Sequence, residues 1–193
     1  SMKAGFIFMV TIGVLMSLWV GWGTYVIYGI ERPQYEVVER LDKKVEVRQY
    51  GQQTWISTVG TTDNASFSVL ASYIFGNNKE GQNVAMTAPV ITDGTMSFIL
   101  PAALSEDSAP TPNGQPIEFT TVAPRQVAAL KFSWMTGSKR VKKKTEELLS
   151  VLRERGIQTQ GEPFLMRYND PWTPPFMRRN EVGIVVESSP VVN

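Results

Sequence analysis

Near its C-terminal end the chain reads Tyr168-Asn169-Asp170-Pro171-Trp172-Thr173-Pro174-Pro175-Phe176-Met177-Arg178-Arg179-Asn180-Glu181-Val182, which is richer in proline and aromatic residues than an ordinary connector. The three prolines fix φ, and each pushes the residue before it towards an extended conformation. Trp172 and Phe176 are therefore held on a stiff loop that leads into the last apolar strand. This pattern predicts a loop that can form the wall of a pocket.

Two further blocks belong with this loop. They read Val84-Ala85-Met86-Thr87-Ala88-Pro89-Val90 and Met96-Ser97-Phe98-Ile99-Leu100-Pro101. In their order and approximate spacing the three blocks resemble the SOUL family of haem-binding proteins, and the resemblance extends from about Tyr35 to Glu187. It implies a domain that binds haem or a related tetrapyrrole.

The composition restricts the chemistry. Lys+Arg 19 against Asp+Glu 18 gives a net charge of +1, so no overall positive charge favours nucleic acid as a partner. The chain contains no cysteine and no histidine, which excludes a cysteine nucleophile, a Ser-His-Asp triad and a histidine ligand to haem iron. We therefore expect a binding protein rather than an enzyme.

The N-terminal segment predicts a membrane anchor over residues 1–32. Residues 4–30 carry no charge, and as a helix they would be roughly 40 Å long, enough to cross a hydrocarbon core of about 30 Å. The aromatic residues near its far end suit a membrane interface. These are Trp19, Trp22, Tyr25 and Tyr28. We favour a single-pass protein with the remaining domain outside the cytoplasm.

A cleaved signal peptide is the alternative for this segment. Its apolar region is normally about 7–15 residues long and precedes a small-x-small cleavage site. The segment here is longer, and no Ala-x-Ala follows it.

The remaining residues, 33–193, form the predicted SOUL-like haem-binding domain, in which a ββαββ unit occurs twice. The expected order is strands at 45–50 and 54–59, a helix from 63 or 64 to 76, strands at 84–91 and 96–100, then strands at 117–122 and 127–134, a helix at about 139–155, and strands at 164–168 and 182–187. Asp63 or Asn64 is the expected cap of the first helix and Ser138 that of the second, and Gly76 and Gly156 are the expected helix stops. This order predicts an α+β domain with two helices covering a bent antiparallel sheet. The SOUL resemblance implies that the sheet forms a distorted antiparallel β-barrel flanked by these helices.

The resemblance also implies where a tetrapyrrole would bind, namely along the first helix of the domain and the proline-rich loop. Transferred by position, the groove residues are Phe67, Leu70, Ala71 and Ile74 on the helix and Trp172, Phe176 and Met177 on the loop. The helix residues also form the inward stripe that an amphipathic helix needs, so core packing is the alternative for them. Arg178 either pairs with a haem propionate or holds the loop by bonding its carbonyl groups.

Without histidine, an axial ligand to haem iron would be methionine, tyrosinate, a carboxylate, lysine or water. The candidates near the family blocks are Met86, Met166, Met177, Tyr73 and Tyr168. Each methionine is also a normal filler of core gaps. Binding through apolar contacts alone is a further alternative.

A dense basic run occupies residues 139–144, Lys-Arg-Val-Lys-Lys-Lys. A solvated helix face explains it, and so does a domain surface that faces the anionic headgroups of a membrane.

Taken together, the sequence predicts a membrane-anchored protein that binds haem or another planar hydrophobic ligand without a histidine ligand. The first alternative is a haem-free interaction or small-molecule-sensing module on the same fold. The second is an enzyme that modifies or hydrolyses a tetrapyrrole through a carboxylate. The sequence identifies no protein partner.

Overall fold

The fold is described from a computed structural model, which covers residues 2–58 and 63–187. The helices are α1 (Met2–Gly29), α2 (Asp63–Ile74) and α3 (Ser138–Glu154). The strands are β1 (Tyr35–Arg40), β2 (Val45–Tyr50), β3 (Gln53–Thr58), β4 (Val90–Thr92), β5 (Met96–Ile99), β6 (Ile117–Val122), β7 (Arg125–Phe132), β8 (Thr159–Arg167) and β9 (Asn180–Val186). A short 3-10 turn spans Pro175–Met177.

The nine strands form one antiparallel sheet in the order β1-β2-β7-β9-β8-β4-β5-β3-β6. It consists of two halves that meet where β4 pairs with β8. β2 of the first repeat pairs with β7 of the second, and β6 of the second repeat pairs with β3 of the first. Because each repeat gives one strand to the other half, the two repeats are interlocked in a single sheet.

The element order confirms the predicted α+β class and the doubled unit, since β2-β3-α2-β4-β5 is followed by β6-β7-α3-β8-β9. The strand predicted at residues 84–91 is shorter, because only its end pairs as β4. Before β4 the backbone bonds elsewhere, and the N–H of Ala88 donates to the carbonyl oxygen of Glu31 at 2.9 Å.

The expected barrel is not confirmed, because the sheet is open. Within residues 2–58 and 63–187, β1 and β6 lie at the two edges and no strand pairing joins them. β1, which the sequence did not predict, exposes residues 36–40, among them Glu36 and Glu39. Charged side chains of this kind protect an edge strand from further pairing.

Each helix covers its own half of the sheet. Leu148 and Leu152 of α3 pack on β7, β8 and β9, while Leu70 and Ile74 of α2 pack on β3 and β5. Alternate strand residues, such as Val127 on β7, form a third apolar cluster on the opposite face. The sheet therefore separates a helix-covered face from an interior concave face.

Glycines end both domain helices, as predicted. Gly76 and Gly156 have φ angles of 98° and 67°, in the left-handed region that favours glycine after a helix. The cap predicted at Ser138 is wrong, because α3 is capped by Gly137 in an extended conformation and has no side-chain cap hydrogen bond. The side chain of Asp63, the alternative cap of α2, lies outside the described residues.

Helix α1 contains one stretch, Gly5–Tyr25, that is long and apolar enough to cross a membrane, with a mean hydropathy of 1.9. Its large apolar side chains are exposed, including those of Phe6, Leu15 and Leu18. Helices of this length and composition occur both as membrane anchors and in signal sequences.

Candidate functional site

The loop between β8 and β9, residues 168–179, is termed the proline loop, and its polar groups bond largely within the loop. Arg178 donates from Nε to the carbonyl oxygen of Thr173 at 2.8 Å and from Nη2 to that of Pro171 at 2.6 Å. Asp170 Oδ1 accepts from the backbone N–H of Trp172 at 2.7 Å and of Thr173 at 2.8 Å. These contacts confirm the interpretation in which Arg178 holds the loop.

A buried ion cluster lies behind this loop and is centred on Glu181, whose side chain is 0% exposed. Arg48 donates from Nη1 to Glu181 Oε2 at 2.6 Å and from Nη2 to Oε1 at 3.1 Å. Arg179 Nε donates to Oε1 at 2.9 Å, and the Tyr168 hydroxyl donates to Oε2 at 2.9 Å. The cluster thereby ties β2 and β9 to both ends of the proline loop.

Electrostatics keep Glu181 ionised. Burial alone would raise the pKa of its carboxyl group, but the hydrogen bonds and charges of Arg48 and Arg179 more than offset burial and lower that pKa. The same pairing raises the pKa of Arg48 in spite of its burial. Because the carboxylate accepts from three side chains, we assign the cluster a structural role.

Two buried tyrosines stay protonated at neutral pH. Burial, followed by the charge of Glu181, raises the pKa of Tyr168 well above its ordinary value. Burial likewise raises the pKa of Tyr73 to about 12, and its hydroxyl donates to the carbonyl oxygen of Pro110 at 2.6 Å. Both hydroxyls are engaged in hydrogen bonds, that of Tyr73 to Pro110 and that of Tyr168 to Glu181.

The shifted tyrosines predict a loss of stability at alkaline pH. In the unfolded chain they lose protons near pH 10, whereas the folded state holds them to higher pH. Their contribution is therefore complete below about pH 10 and declines as pH rises through the folded pKa values. Urea unfolding of the full chain in detergent should show this decline, and a Tyr73→Phe/Tyr168→Phe variant should show a flatter profile. Equal unfolding free energies at about pH 9 and about pH 11 would contradict it.

An apolar groove, termed the α2 groove, lies between α2 and the start of the proline loop. Its volume is about 510 Å³, within the range of roughly 300–1,000 Å³ that small-molecule sites occupy. Its apolar lining includes Ile30, Phe67, Ala71, Phe75, Met86, Ala88, Val90 and Met96. Its polar lining includes Asn64, Arg167, Asn169 and Asp170.

Two phenyl rings give this groove its aromatic surface. Phe67 is 43% exposed and Phe75 is 69% exposed, although both are large apolar side chains. The ring of Phe67 stands edge-on to that of the buried Phe98, with 5.5 Å between centroids. This contact fixes the orientation of Phe67 while leaving much of its ring accessible to a ligand.

The structure separates the predicted site residues into three groups. Phe67 and Ala71 line the α2 groove. Leu70 and Ile74 are 0% and 2% exposed and lie in the core between α2 and the sheet, where no groove ligand reaches them. The loop residues do not line the groove, which ends at Pro171. They are Trp172, Phe176, Met177 and Arg178.

Other hollows of the described residues fit a planar ligand less well. The hollow on the concave face, beside Trp55 and Tyr168, has a volume of about 30 Å³, room for little more than a water molecule. A larger hollow of about 630 Å³ runs along residues 31–34, 51–54 and 99–105, and no aromatic side chain of the described chain lines it. Size and lining together single out the α2 groove.

The side chains of the α2 groove can be matched to the macrocycle and the carboxylates of haem. The apolar lining suits a flat macrocycle, and Arg167 and Asn169 suit its carboxylates. Arg167 Nη2 donates to Thr92 Oγ1 at 2.8 Å, and the remaining guanidinium N–H groups can meet an anion. Asn169 Nδ2 is buried and has no hydrogen-bond partner among the described residues, while its Oδ1 accepts from the N–H of Arg179 at 2.7 Å. These residues fit the group.

The candidate iron ligands also differ in whether they line the α2 groove. Met86 lines the groove, as does Met96, which the sequence did not single out. Met166 is buried in the concave-face cluster, and Met177 contacts α1. Tyr168 also lines the groove, but its hydroxyl donates to Glu181 at 2.9 Å. Among the original candidates, Met86 is therefore the groove side chain left for iron.

Sequence reasoning missed several groove residues, of which Phe75, Arg167 and Asn169 matter most for the ligand. Phe75 directly precedes the helix-ending Gly76 and falls outside the apolar stripe, although its place beside a helix stop is a usable signal for exposure. Arg167 and Asn169 flank Tyr168, and only the fold shows that they approach α2.

The family model described as SOUL heme-binding protein matches residues 30–185, which include α2, the groove and the proline loop. The chain belongs to the SOUL family. Mouse heme-binding protein 2 is 26% identical over 187 residues, an alignment that covers 84% of this chain and 89% of the mouse protein.

Two solved structures share the fold of this SOUL domain. The C-terminal domain of EcmrR has a TM-score of 0.53 at 12% identity, covering 80% of this chain and 99% of that domain. A hydrolase from Listeria innocua has a TM-score of 0.50 at 10% identity, covering 76% of this chain and 93% of the hydrolase. At these identities the likeness concerns the fold alone.

Proposed function

We propose that this SOUL protein binds haem or a related tetrapyrrole in the α2 groove, without a histidine ligand and without a chemical reaction on the ligand. The observation that carries the proposal is an apolar groove of about 510 Å³ with two exposed phenyl rings in a SOUL domain. The related mouse protein is named heme-binding protein 2.

Apolar contact supplies most of the affinity. A macrocycle lying against Phe67 and Phe75 removes both rings from water, and hydrophobic transfer contributes roughly 25 cal/mol per Å² of apolar surface buried. Ring contacts contribute about 0.5–1.5 kcal/mol in addition to burial. The ligand is therefore recognised chiefly as a flat hydrophobic body.

Two polar side chains orient it. Arg167 pairs with a ligand carboxylate, because a guanidinium retains several N–H donors, and Asn169 Nδ2 donates to a ligand oxygen. Bound haem would supply iron for coordination, and the residue present for that bond is the half-buried Met86, a neutral thioether. Iron is thus a minor contributor to binding.

Because apolar contact supplies most of the affinity and iron coordination little of it, we predict that an iron-free tetrapyrrole binds nearly as well as haem. Titration of the full chain in phosphatidylcholine nanodiscs with hemin and with protoporphyrin IX should give dissociation constants within about tenfold of each other, equivalent to about 1.4 kcal/mol. Nanodiscs without protein provide the background from lipid partition.

Saturable binding of neither compound contradicts the proposed function. Binding of hemin alone contradicts the assignment of affinity to apolar contact. Binding of protoporphyrin IX alone favours the second function that the sequence leaves open, a haem-free small-molecule sensor, which the absence of histidine from the chain supports.

We also propose that α1 is a single-pass membrane anchor. The uncharged stretch Gly5–Tyr25 and its exposed apolar side chains support the anchor. Trp19, Trp22 and Tyr25 near its C-terminal end suit the membrane interface.

A further inference from the structure

We propose that the SOUL domain makes a second membrane contact, in which the proline loop and the start of α3 rest on the bilayer crossed by α1. The contact surface begins with four exposed apolar side chains, termed the aromatic collar. They are Trp134 (52% exposed), Met135 (56%), Trp172 (75%) and Phe176 (49%). Large apolar side chains grouped at a surface mark an interaction site.

Hydrogen bonds join the two parts of the collar into one surface. The N–H of Trp134 donates to the carbonyl oxygen of Pro175 at 3.0 Å, and Asn180 Nδ2 donates to the carbonyl oxygen of Trp134 at 2.8 Å. Trp134 has a φ angle of 79°, a region that residues other than glycine rarely adopt. These bonds hold the strained backbone and keep its indole at the surface.

Contacts with α1 place the collar at the depth of a membrane interface. Trp19 Nε1 donates to the carbonyl oxygen of Trp172 at 2.5 Å. A Cβ atom built on Gly23 would stand 3.0 Å from Pro174 Cδ and 3.5 Å from Met177 Cε, so the loop lies directly against the helix.

The depth follows from helix geometry and rests on the proposed anchoring of α1. Trp19, Trp22 and Tyr25 form the aromatic belt that suits the membrane interface, and Trp19 precedes Tyr25 by six positions, which corresponds to about 9 Å along the helix. Interfacial segments bury their apolar faces about 5–10 Å into the boundary between headgroups and acyl chains. The loop tip therefore reaches the layer in which Trp and Phe side chains are stable.

The loop backbone is suited to that layer because its polar groups have partners. Its three prolines lack an N–H, Arg178 and Trp19 occupy three of its carbonyl oxygens, and Asp170 accepts two of its N–H groups. The N–H of Met177 donates to the carbonyl oxygen of Pro174 at 2.9 Å. Entry into a low-dielectric layer is costly for unpaired backbone groups, and here few remain to be desolvated.

The basic run beside the collar indicates that this surface binds an anionic bilayer. Helix α3 begins at Ser138, four residues after Trp134, so the two positions lie within about 14 Å of each other. Its first turns carry four exposed cations. They are Lys139, Arg140, Lys142 and Lys143. Cations at a helix N-terminus oppose the helix dipole, whereas anionic headgroups attract them.

Single-cysteine labelling tests the contact, because the chain contains no cysteine. Trp172→Cys and Phe176→Cys carry an NBD fluorophore in the collar, Glu154→Cys carries it at the far end of α3, and Val14→Cys carries it in the middle of α1. Each full-length variant is placed in vesicles of equal parts phosphatidylcholine and phosphatidylserine, with nitroxide-labelled lipids as quenchers.

The expected result is quenching of both collar labels by shallow nitroxides and of the Val14→Cys label by deep nitroxides, with the Glu154→Cys label unquenched. Quenching at Val14→Cys with unquenched collar labels overturns the second contact and leaves the anchor intact. An unquenched Val14→Cys label overturns both. Collar labels that are shielded only at high protein density reveal a second copy of the chain as the occupant, which also overturns the proposal.

The charge component has its own test. With phosphatidylserine present, shallow quenching of the Phe176→Cys label should rise about twofold over pure phosphatidylcholine, because several basic residues lie near the surface. The variant with Lys139, Arg140, Lys142 and Lys143 changed to glutamine should lose this increase, whereas Arg153→Gln on the last turn should keep it. Equal quenching in both lipids overturns the role of the basic run.

Discussion

Replacing Glu181 with glutamine is expected to lower the free energy of unfolding by about 3–5 kcal/mol, since removing one member of a buried ion pair leaves its partner unpaired. Arg48 is 3% exposed and would lose a charged partner that accepts at 2.6 and 3.1 Å. Glu46 would still accept from Arg48 Nε at 3.1 Å and the Tyr50 hydroxyl from Nη1 at 3.4 Å, so the guanidinium keeps one charged and one neutral partner. Urea unfolding of the full chain in detergent, followed by tryptophan fluorescence, measures the loss.

Glu162→Gln is the matched control, because Glu162 is exposed on β8 of the same sheet. It should change stability by less than about 0.5 kcal/mol. A Glu181→Gln loss as small as that of the control would show that the cluster contributes little. The combined Arg48→Met/Glu181→Gln variant should lose less than the sum of its single changes, because the two side chains interact directly.

Glu181 also determines how the free energy of unfolding changes as the pH falls. Its folded pKa is lowered relative to the unfolded chain, so its contribution is present above the ordinary glutamate pKa and is lost as pH falls through the folded value. The wild-type protein should therefore lose stability in acid more steeply than Glu181→Gln does.

Filling the α2 groove should have the largest effect on function. Ala71→Trp introduces an indole beside Phe67 and Phe75, where the macrocycle would lie, and we expect affinity for hemin and protoporphyrin IX to fall at least about tenfold, or about 1.4 kcal/mol. Because Ala71 is half-buried at the margin of α2, the unfolding transition of the variant is measured alongside its binding.

Ala65→Trp serves as the control for this variant. Ala65 lies on the same helix, is exposed, and is not among the described groove residues, so the added indole should leave affinity unchanged. A folded Ala71→Trp protein that binds with wild-type affinity would place the tetrapyrrole site elsewhere.

The elements with strong local patterns were predictable from sequence. Alternating apolar residues and β-branched side chains gave the bounds of β2 and β6, and Gly76 and Gly156 marked the helix stops. The two possible roles of Arg178 were also visible, because a loop with three prolines leaves carbonyl groups in need of donors.

Features that depend on long-range pairing were not predictable. The exposed edge strand β1 has charged side chains that weaken the strand pattern, and closure of the sheet depends on whether β1 meets β6, which local periodicity does not encode. In α2 the apolar stripe contains both core and groove residues. Only the packed sheet shows that Leu70 is buried while Phe67 keeps part of its ring exposed.

The residues of the proline loop likewise divide into those that line the α2 groove and those that lie outside it. Their aromatic character predicted a functional surface, and the structure leaves Trp172 and Phe176 exposed outside the α2 groove, on a loop whose backbone contacts α1 at Trp172. Pro171 and Asn169, at the start of the same loop, complete the groove. One rigid segment thus contributes to two surfaces, the proposed ligand groove and the proposed membrane contact.

A tetrapyrrole in the α2 groove would be held by a chain that contains no histidine. The most direct measurement is a hemin titration of the full-length protein in nanodiscs, followed through the Soret band and corrected with protein-free nanodiscs. A tetrapyrrole bound in this groove should give a saturable Soret shift at one hemin per chain, with wild-type affinity in Ala65→Trp and with affinity at least about tenfold weaker in Ala71→Trp. A wild-type titration without a saturable shift, or wild-type affinity in Ala71→Trp, would contradict binding in this groove.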